Sequence, residues 1–247
     1  MTGAWLVTGA SKGLGRSIAK VIASCGFPVI ALARQSVDLE VTGTELATIN
    51  PHSVTVSCDM SSSSDIANAA EFIKTNFSHV DGIVHNAGII SPIKPMLEAD
   101  GEDWSRLIRV NLIGVQELTR QLSDIIGGLS RTRITCISSG ASLAAIQSWS
   151  AYCVSKAGLD MWSACMAEEG ASQNISSISI APGIVDTHMQ KNIRESSPDE
   201  FPMHQRFCDF YENGELSNPD EVAERLKTVI LEQTMDMSGQ RLDIREM

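Results

Sequence analysis

Tyr152 and Lys156 are four residues apart in Ser150-Ala151-Tyr152-Cys153-Val154-Ser155-Lys156, which on a helix stacks them one turn apart on one face. A phenol has an ordinary pKa near 10 and gives up its proton poorly at neutral pH. A lysine ammonium held nearby favours the phenolate, so such a pair can act as an acid/base near physiological pH. Ser139 ends an apolar run upstream, where strands present side chains to a cleft. A Tyr and a Lys at this spacing also describe an ordinary exposed helix face. The elements around them must decide.

Those elements read as alternating strands and helices. Ala4-Trp5-Leu6-Val7-Thr8 is a short apolar run that breaks into Gly9-Ala10-Ser11-Lys12-Gly13-Leu14-Gly15. Leu14, Ile18, Val21, Ile22 and Cys25 then recur at helical spacing, and Val29 to Ala33 is the next buried strand. In this βαβ unit the helix N-terminus, with its open N–H groups and positive dipole end, faces the glycine loop and suits a phosphate. Further strands are expected at His52–Ser57, Ile83–His85, Arg133–Ile137, Ile175–Ala181 and Gln240–Ile244. Helices are expected from the serine run after Met60 to about Phe77, over Asp103–Ile126, from Tyr152 to about Gly170, and from Asn218-Pro219 onward. Asn111 falls beside the apolar stripe in the middle of the Asp103 helix, where a buried amide needs a partner. From 184 to 216 the periodicity lapses, which marks a lid rich in apolar and aromatic side chains.

The whole reads as one α/β domain over residues 1–247, a Rossmann-type doubly wound parallel sheet with helices on both faces. Its cofactor half runs to about 135 and its catalytic and substrate half from about 136. In such a fold ligands sit outside the carboxyl ends of the strands. The Gly9–Gly15 loop, Asp59, Asn86-Ala87-Gly88, Ser139 and Pro182-Gly183 all follow strands and should meet in one crevice.

Composition narrows the function. The net charge of -11, with no basic run, argues against nucleic acid and anionic membrane surfaces. The start lacks a cationic segment and a long apolar core, so no signal peptide is expected, and no apolar run reaches membrane-span length. The six cysteines form no C-x-x-C pair and sit mostly in apolar segments. They read as reduced thiols of a cytoplasmic protein, with no metal site.

These motifs together resemble the single-domain short-chain dehydrogenase/reductase family along essentially the whole chain. Thr8 to Gly15 is similar to its T-G-x-x-x-G-x-G, Asn86-Ala87-Gly88 to its N-A-G, and Asn111 to its helix asparagine. Ser139, Tyr152 and Lys156 match its catalytic serine and Y-x-x-x-K, and Pro182 to Thr187 its P-G-x-V-x-T. Within the family, Ala181 to Glu195 and Ser148-Trp149 are most similar to fungal sepiapterin-reductase-like proteins, a group that includes benzil reductases. The resemblance implies that Tyr152 donates a proton to a carbonyl oxygen, Ser139 hydrogen-bonds that oxygen, and Lys156 lowers the tyrosine pKa and binds the nicotinamide ribose. Asn111 would support a water-mediated relay to Lys156, or simply bond a core carbonyl. Strand alternation leaves Ser138 as a rival to Ser139, and only the family spacing selects Ser139. Implied cofactor contacts are Gly9, Ser11, Lys12, Gly13, Leu14, Gly15, Asp59, Met60, Asn86, Ala87, Gly88, Tyr152, Lys156, Pro182, Gly183, Val185 and Thr187.

Cofactor choice follows from the second strand. NAD-binding nucleotide folds usually end it with an acid for the ribose hydroxyls. Here Ala33 is followed by Arg34, and Lys12 stands in the glycine loop. Two cations and no acid suit a 2′-phosphate, so NADPH/NADP+ is expected over NAD(H). Trp149, Met189 and the Phe201–Tyr211 group are candidates for the substrate pocket, and His188, Lys191 and Arg194 read as solvated. The expected substrate is a small neutral, hydrophobic or aromatic ketone or diketone. A 3-oxoacyl-thioester, pteridine or sugar/polyol reductase is the rival enzyme, and a non-catalytic NADP-binding regulator the rival of another kind. The family also implies a homodimer or homotetramer built on the Asp103–Ile126 and Tyr152–Gly170 helices.

Overall fold

Seven parallel strands form one sheet in the order β3-β2-β1-β4-β5-β6-β7. They are β1 (Ala4–Thr8), β2 (Val29–Ala33), β3 (Val54–Ser57), β4 (Val80–His85), β5 (Thr132–Ile137), β6 (Ile175–Ala181) and β7 (Arg241–Asp243). The computed structural model describes residues 3–247. Met1 and Thr2, the first positions of the expected domain and of the segment read as no leader, lie outside the described residues. The central strands are buried on both faces, as continuous apolar runs such as AWLVT and VIALA require. The order reverses between β1 and β4, and that switch point opens a crevice at the carboxyl ends of the strands.

Helices cover both faces. Against one lie α1 (Gly13–Ser24), α2 (Val37–Ile49) and α9 (Pro219–Leu231). Against the other lie α3 (Ser63–Asn76), α5 (Gly114–Gln121) and α6 (Ser150–Gly170), while α4 (Gly101–Ile108) buries Leu107 in a third cluster with Trp149 and Tyr152. Caps set several of the starts: Ser62 accepts from the Asp65 N–H, Asp100 from Glu102 and Asp103, and Asn218 from Asp220 ahead of Pro219.

Three differences from expectation have physical causes. Helix α2 shows no apolar stripe in the sequence, because Val37, Val41 and Ile49 face solvent while only Leu39, Thr42 and Leu46 are buried. The expected single helix over Asp103–Ile126 is instead α4, a π-helical turn at Arg109–Ile113, α5 and a terminal 3-10 turn at Ser123–Ile125. The extra residue in the π turn bulges the helix at Asn111, and such turns recur at functional positions. The 184–216 segment is not plain loop: it contains α7 (His188–Arg194) and α8 (His204–Glu212). These two short helices and the link between them bury Ile193, Phe201 and Phe207 in one cluster with Trp149 and Tyr152. No described helix is long and apolar enough to cross a membrane.

Candidate active site

The glycine loop is a backbone cradle locked from the neighbouring strand end. The Thr8 hydroxyl accepts from the main-chain N–H groups of Asn86 and Ala87 at 3.0 Å each, and Asn86 Nδ2 donates to Thr8 O at 3.0 Å. Gly9 has φ +66, and a Cβ there would stand 2.8 Å from Ala87 Cα. At Gly15 a Cβ would meet both Asn86 Nδ2 and the Gly9 carbonyl at 2.4 Å. Helix α1 begins after Lys12 with no side chain on its first N–H groups, so these donors and the dipole end remain for an anion. The cradle therefore fits a dinucleotide pyrophosphate.

Around the loop lies a cavity of about 670 Å³, whose wall includes Gly9, Ser11, Lys12, Leu14, Gly15, Arg34, Asp59, Met60, Asn86, Ala87, Gly88 and Thr187. Arg34 follows β2 and is exposed there. The expected absence of an acid needs correction, because Asp38, carried in by α2, lines the same wall 4.0 Å from Lys12 Nζ. Burial pushes the Asp59 carboxyl upward, but hydrogen bonds from the Ser61 hydroxyl and N–H, with Arg34 and Arg106 nearby, hold it below its ordinary value. Asp59 thus shapes the turn before α3 through Ser61.

A second cavity, of about 360 Å³, adjoins the first and shares with it Leu14, Asn86, Gly88, Ile90, Thr187 and Met189. Ser139, Tyr152, Lys156, Trp149, Pro182, Gly183 and Val185 line it. Tyr152 is almost fully buried, and its hydroxyl faces Met189 Sδ at 3.8 Å. Burial pushes the phenol up to about 12, opposed by the Ser139 hydroxyl. Lys156 donates from Nζ to the Ile137 carbonyl at 2.7 Å and stands 5.8 Å from the Tyr152 ring centroid. Burial pulls its pKa down to about 8, against the pull of Cys136 and Asp160. In this arrangement burial and Ser139, rather than Lys156, set the phenol, and the ammonium is held on a strand carbonyl.

Ser138 and Ser139 both border this cavity. The Ser139 Oγ accepts from the Ala141 N–H at 3.1 Å, which leaves its proton to donate. The Ser138 hydroxyl is buried without a partner. Asn111 lines neither cavity. Its Oδ1 accepts from the Ile89 N–H at 2.8 Å, and its Nδ2 donates to Ile89 O at 2.9 Å and Ser155 Oγ at 3.0 Å. The Ser155 hydroxyl in turn donates to the Tyr152 carbonyl at 2.8 Å. The Asn111 side chain thus makes the core-bonding contacts that were one of its two expected roles, and it ties the strand-end loop to α6.

The substrate-side wall is mostly apolar: Ile90, Ile146, Ile193, Met203, Phe207 and Phe210 join Trp149 and Met189. Phe201 lies behind them, its ring stacked on Trp149 at 5.2 Å. His188 lines the larger cavity instead, Lys191 pairs with Glu195, and Arg194 lies 4.1 Å over the Tyr211 ring. Two cations missed in the sequence do reach the wall. They are Arg206, over the Phe210 ring, and Arg245, paired with Asp243. The i, i+4 spacing of Arg206 and Phe210 was the available sign for the first. Nothing local signalled Arg245. Among the described residues no three His, Cys, Asp or Glu side chains gather to hold a metal, and the six cysteines are free.

The sequence profile of the short chain dehydrogenases matches residues 4–198. This chain belongs to that family. A benzil reductase ((S)-benzoin forming) of Bacillus subtilis is 31% identical over 255 residues, covering 98% of both chains. A benzil reductase ((S)-benzoin forming) of Saccharomyces cerevisiae is 31% identical over 253 residues, covering 96% of this chain and 94% of its own. The crystal structure of the KRED1-Pglu enzyme superposes with a TM-score of 0.89 at 31% identity, over 97% of this chain and all 100% of that one. As a short-chain dehydrogenase the chain is an oxidoreductase of carbonyl and hydroxyl groups, and the cradle, with its missing Cβ atoms and open N–H groups, fits that family's nicotinamide cofactor.

Proposed function

We propose that this short-chain dehydrogenase reduces a hydrophobic or aromatic ketone or diketone with NADPH, with Tyr152 as the proton donor. The observation that carries the reading is the meeting of the two cavities. The Tyr152 hydroxyl and Ser139 lie on an apolar wall directly beside the nucleotide cradle. When bound, the nicotinamide supplies the hydride. The chain's residues handle position and proton. Gly9, Ser11 and Gly15 would allow close backbone approach of a pyrophosphate, and Lys12 and Arg34, in the same cavity wall, would hold a 2′-phosphate. Ser139 Oγ, held as a donor by the Ala141 N–H, hydrogen-bonds the substrate oxygen as charge develops. Tyr152 Oη, a phenol that keeps its proton at neutral pH, gives it to that same oxygen. Lys156 places a cation near the phenolate that is left, one turn away on α6.

NADPH rather than NADH follows from Arg34 and Lys12, and it agrees with a solved actinorhodin polyketide ketoreductase with NADPH, 26% identical with a TM-score of 0.82. The apolar wall and the benzil reductase relatives favour an aromatic diketone such as benzil. Arg206 and Arg245 at the wall favour a second reading, a carbonyl substrate with an acidic or thioester end. A 3-oxoacyl-[acyl-carrier-protein] reductase of Synechocystis is 29% identical over 189 residues, 76% of each chain. Initial rates of NADPH oxidation with benzil, neutral ketones, keto acids and acyl thioesters separate the two. Turnover confined to charged thioesters would overturn the diketone reading. The exposed Ile113 on the helix α4–α5 side and Val154 and Met161 on α6 fit pairing with a second copy. A monomer by light scattering would remove that part.

A further inference from the structure

Arg241 opens β7, the last strand of the sheet, and its guanidinium reaches back to the loop that carries Ser139. Its Nε donates to Asp160 Oδ2 at 3.1 Å and Ser142 Oγ at 3.3 Å, and its Nη2 donates to the main-chain oxygen of Ser139 at 3.2 Å. The Ser142 hydroxyl donates to that same Ser139 oxygen at 2.8 Å. With the Ser142 main-chain N–H at 3.1 Å, three donors therefore hold one carbonyl, and Arg241 is the only one of them from outside the turn.

The arrangement asks more of Arg241 than a surface ion pair would. Its side chain and that of Asp160 are mostly buried, 23% and 15% exposed. The one Nε–H is shared between Asp160 and Ser142 while Nη2 reaches the Ser139 carbonyl, a fixed fork that the planar guanidinium offers and a lysine ammonium on its flexible stem does not. Asp160 is also one turn beyond Lys156 on α6, so the pair ties β7, the Ser139–Ser142 turn and the helix of Tyr152 and Lys156 into one unit. Of this turn, Ser139, Gly140 and Ala141 line the catalytic cavity, and Ser139 brings a hydroxyl to it, its Oγ accepting from the Ala141 N–H.

We propose that Arg241 is a positioning residue for Ser139, fixing the peptide of the catalytic serine so that its hydroxyl donates toward the substrate oxygen. The proposal rests on the reading of Ser139 as a catalytic group. Arg241 itself touches neither cavity.

The test is a pair of substitutions measured in two backgrounds. Arg241→Lys keeps a cation beside Asp160 but loses the bond to the Ser139 carbonyl. Its melting temperature is expected within about 4 °C of wild type, the shift expected for about 1 kcal/mol in a chain of this size. Its NADPH dissociation constant, read by fluorescence without turnover, is expected to stay within about twofold, while kcat falls roughly tenfold, the effect of one charge-assisted bond. In a Ser139→Ala background the same change is expected to lower the residual kcat by less than about twofold, because the two act as one unit. An unchanged kcat for Arg241→Lys, or an equal factor lost in both backgrounds, overturns the proposal. If Arg241→Lys does not fold, Ser142→Ala removes the hydroxyl that both accepts from Arg241 and donates to the Ser139 carbonyl, without unpairing a buried charge, and the same comparison decides. Full activity of Ser139→Ala alone would instead sink the underlying reading of Ser139.

Discussion

Replacing Arg34 by alanine should convert a cofactor preference into near indifference. Arg34 stands exposed at the end of β2, in the wall of the nucleotide cavity, with Lys12 across the glycine loop and Asp38 beside it. The Lys12–Asp38 pair, 4.0 Å apart with both side chains about half exposed, is worth under about 1 kcal/mol and leaves Lys12 able to turn to a phosphate. A hydrogen bond from a guanidinium to a phosphate contributes about 1.5–3 kcal/mol, which is roughly 10- to 150-fold in affinity. Arg34→Ala is therefore expected to weaken NADPH by that factor and to change NADH by less than about threefold, since the 2′-hydroxyl offers no charge for Arg34. The reverse perturbation is smaller. A carboxylate near a 2′-phosphate in water costs up to about 1 kcal/mol, so Asp38→Asn should raise the NADPH preference by at most roughly fivefold. Dissociation constants from fluorescence titration, beside kcat/KM for each cofactor, give the answer. Equal or better use of NADH by the wild type would refute the reasoning, as would an equal loss for both cofactors in Arg34→Ala.

Other expectations follow from packing and burial. Phe201→Ala empties a fully buried site stacked on Trp149, so it should destabilise by up to about 3–5 kcal/mol and raise KM for the carbonyl substrate with the NADPH affinity kept. Thermal melting and steady-state kinetics check it. Gly15→Ala forces a Cβ to 2.4 Å from the Gly9 carbonyl, so cofactor affinity should fall more than about tenfold, as titration would show. Lys156 titrates near 8 in the fold against 10.5 for the ordinary group. Between those values the folded chain has released a proton that the unfolded chain keeps, so stability should rise with pH across that window by up to a few kcal/mol. Tyr152, raised from 10 to about 12, acts the other way, with stability falling as pH climbs from 10. Urea midpoints against pH should lose the rise in Lys156→Met, and a rise that persists would contradict this account.

The strands were legible because their runs are apolar from end to end, and the glycine loop because φ > 0 and close approach leave few other residues that fit. The lid was legible as a departure from periodicity, but its two helices were not. Their buried residues pack on Trp149 and Tyr152 rather than forming a stripe of their own. Helix α2 was hidden by valines and an isoleucine on its solvent side, and Asp38 with it, so the ribose end looked more purely cationic than it is. The type of Asn111 flagged a buried amide in need of partners. Which partners it has depends on a π turn and on Ser155, 44 positions away, and no local pattern carries that. Arg241 and Ser139 are 102 positions apart and meet only when β7 pairs with β6. The family motifs brought the catalytic candidates into view together, but the balance of burial against charge at Tyr152 and Lys156 needed the packing.

The central claim is that the Tyr152 hydroxyl delivers the proton in carbonyl reduction. Tyr152→Phe removes one oxygen from a buried ring whose remaining contacts, the edge of Trp149 among them, are kept. With benzil and NADPH, the variant is expected to bind cofactor as the wild type does and to lose at least about a hundredfold in kcat, the usual contribution of a positioned acid. Turnover of benzil by Tyr152→Phe at the wild-type rate would contradict the account.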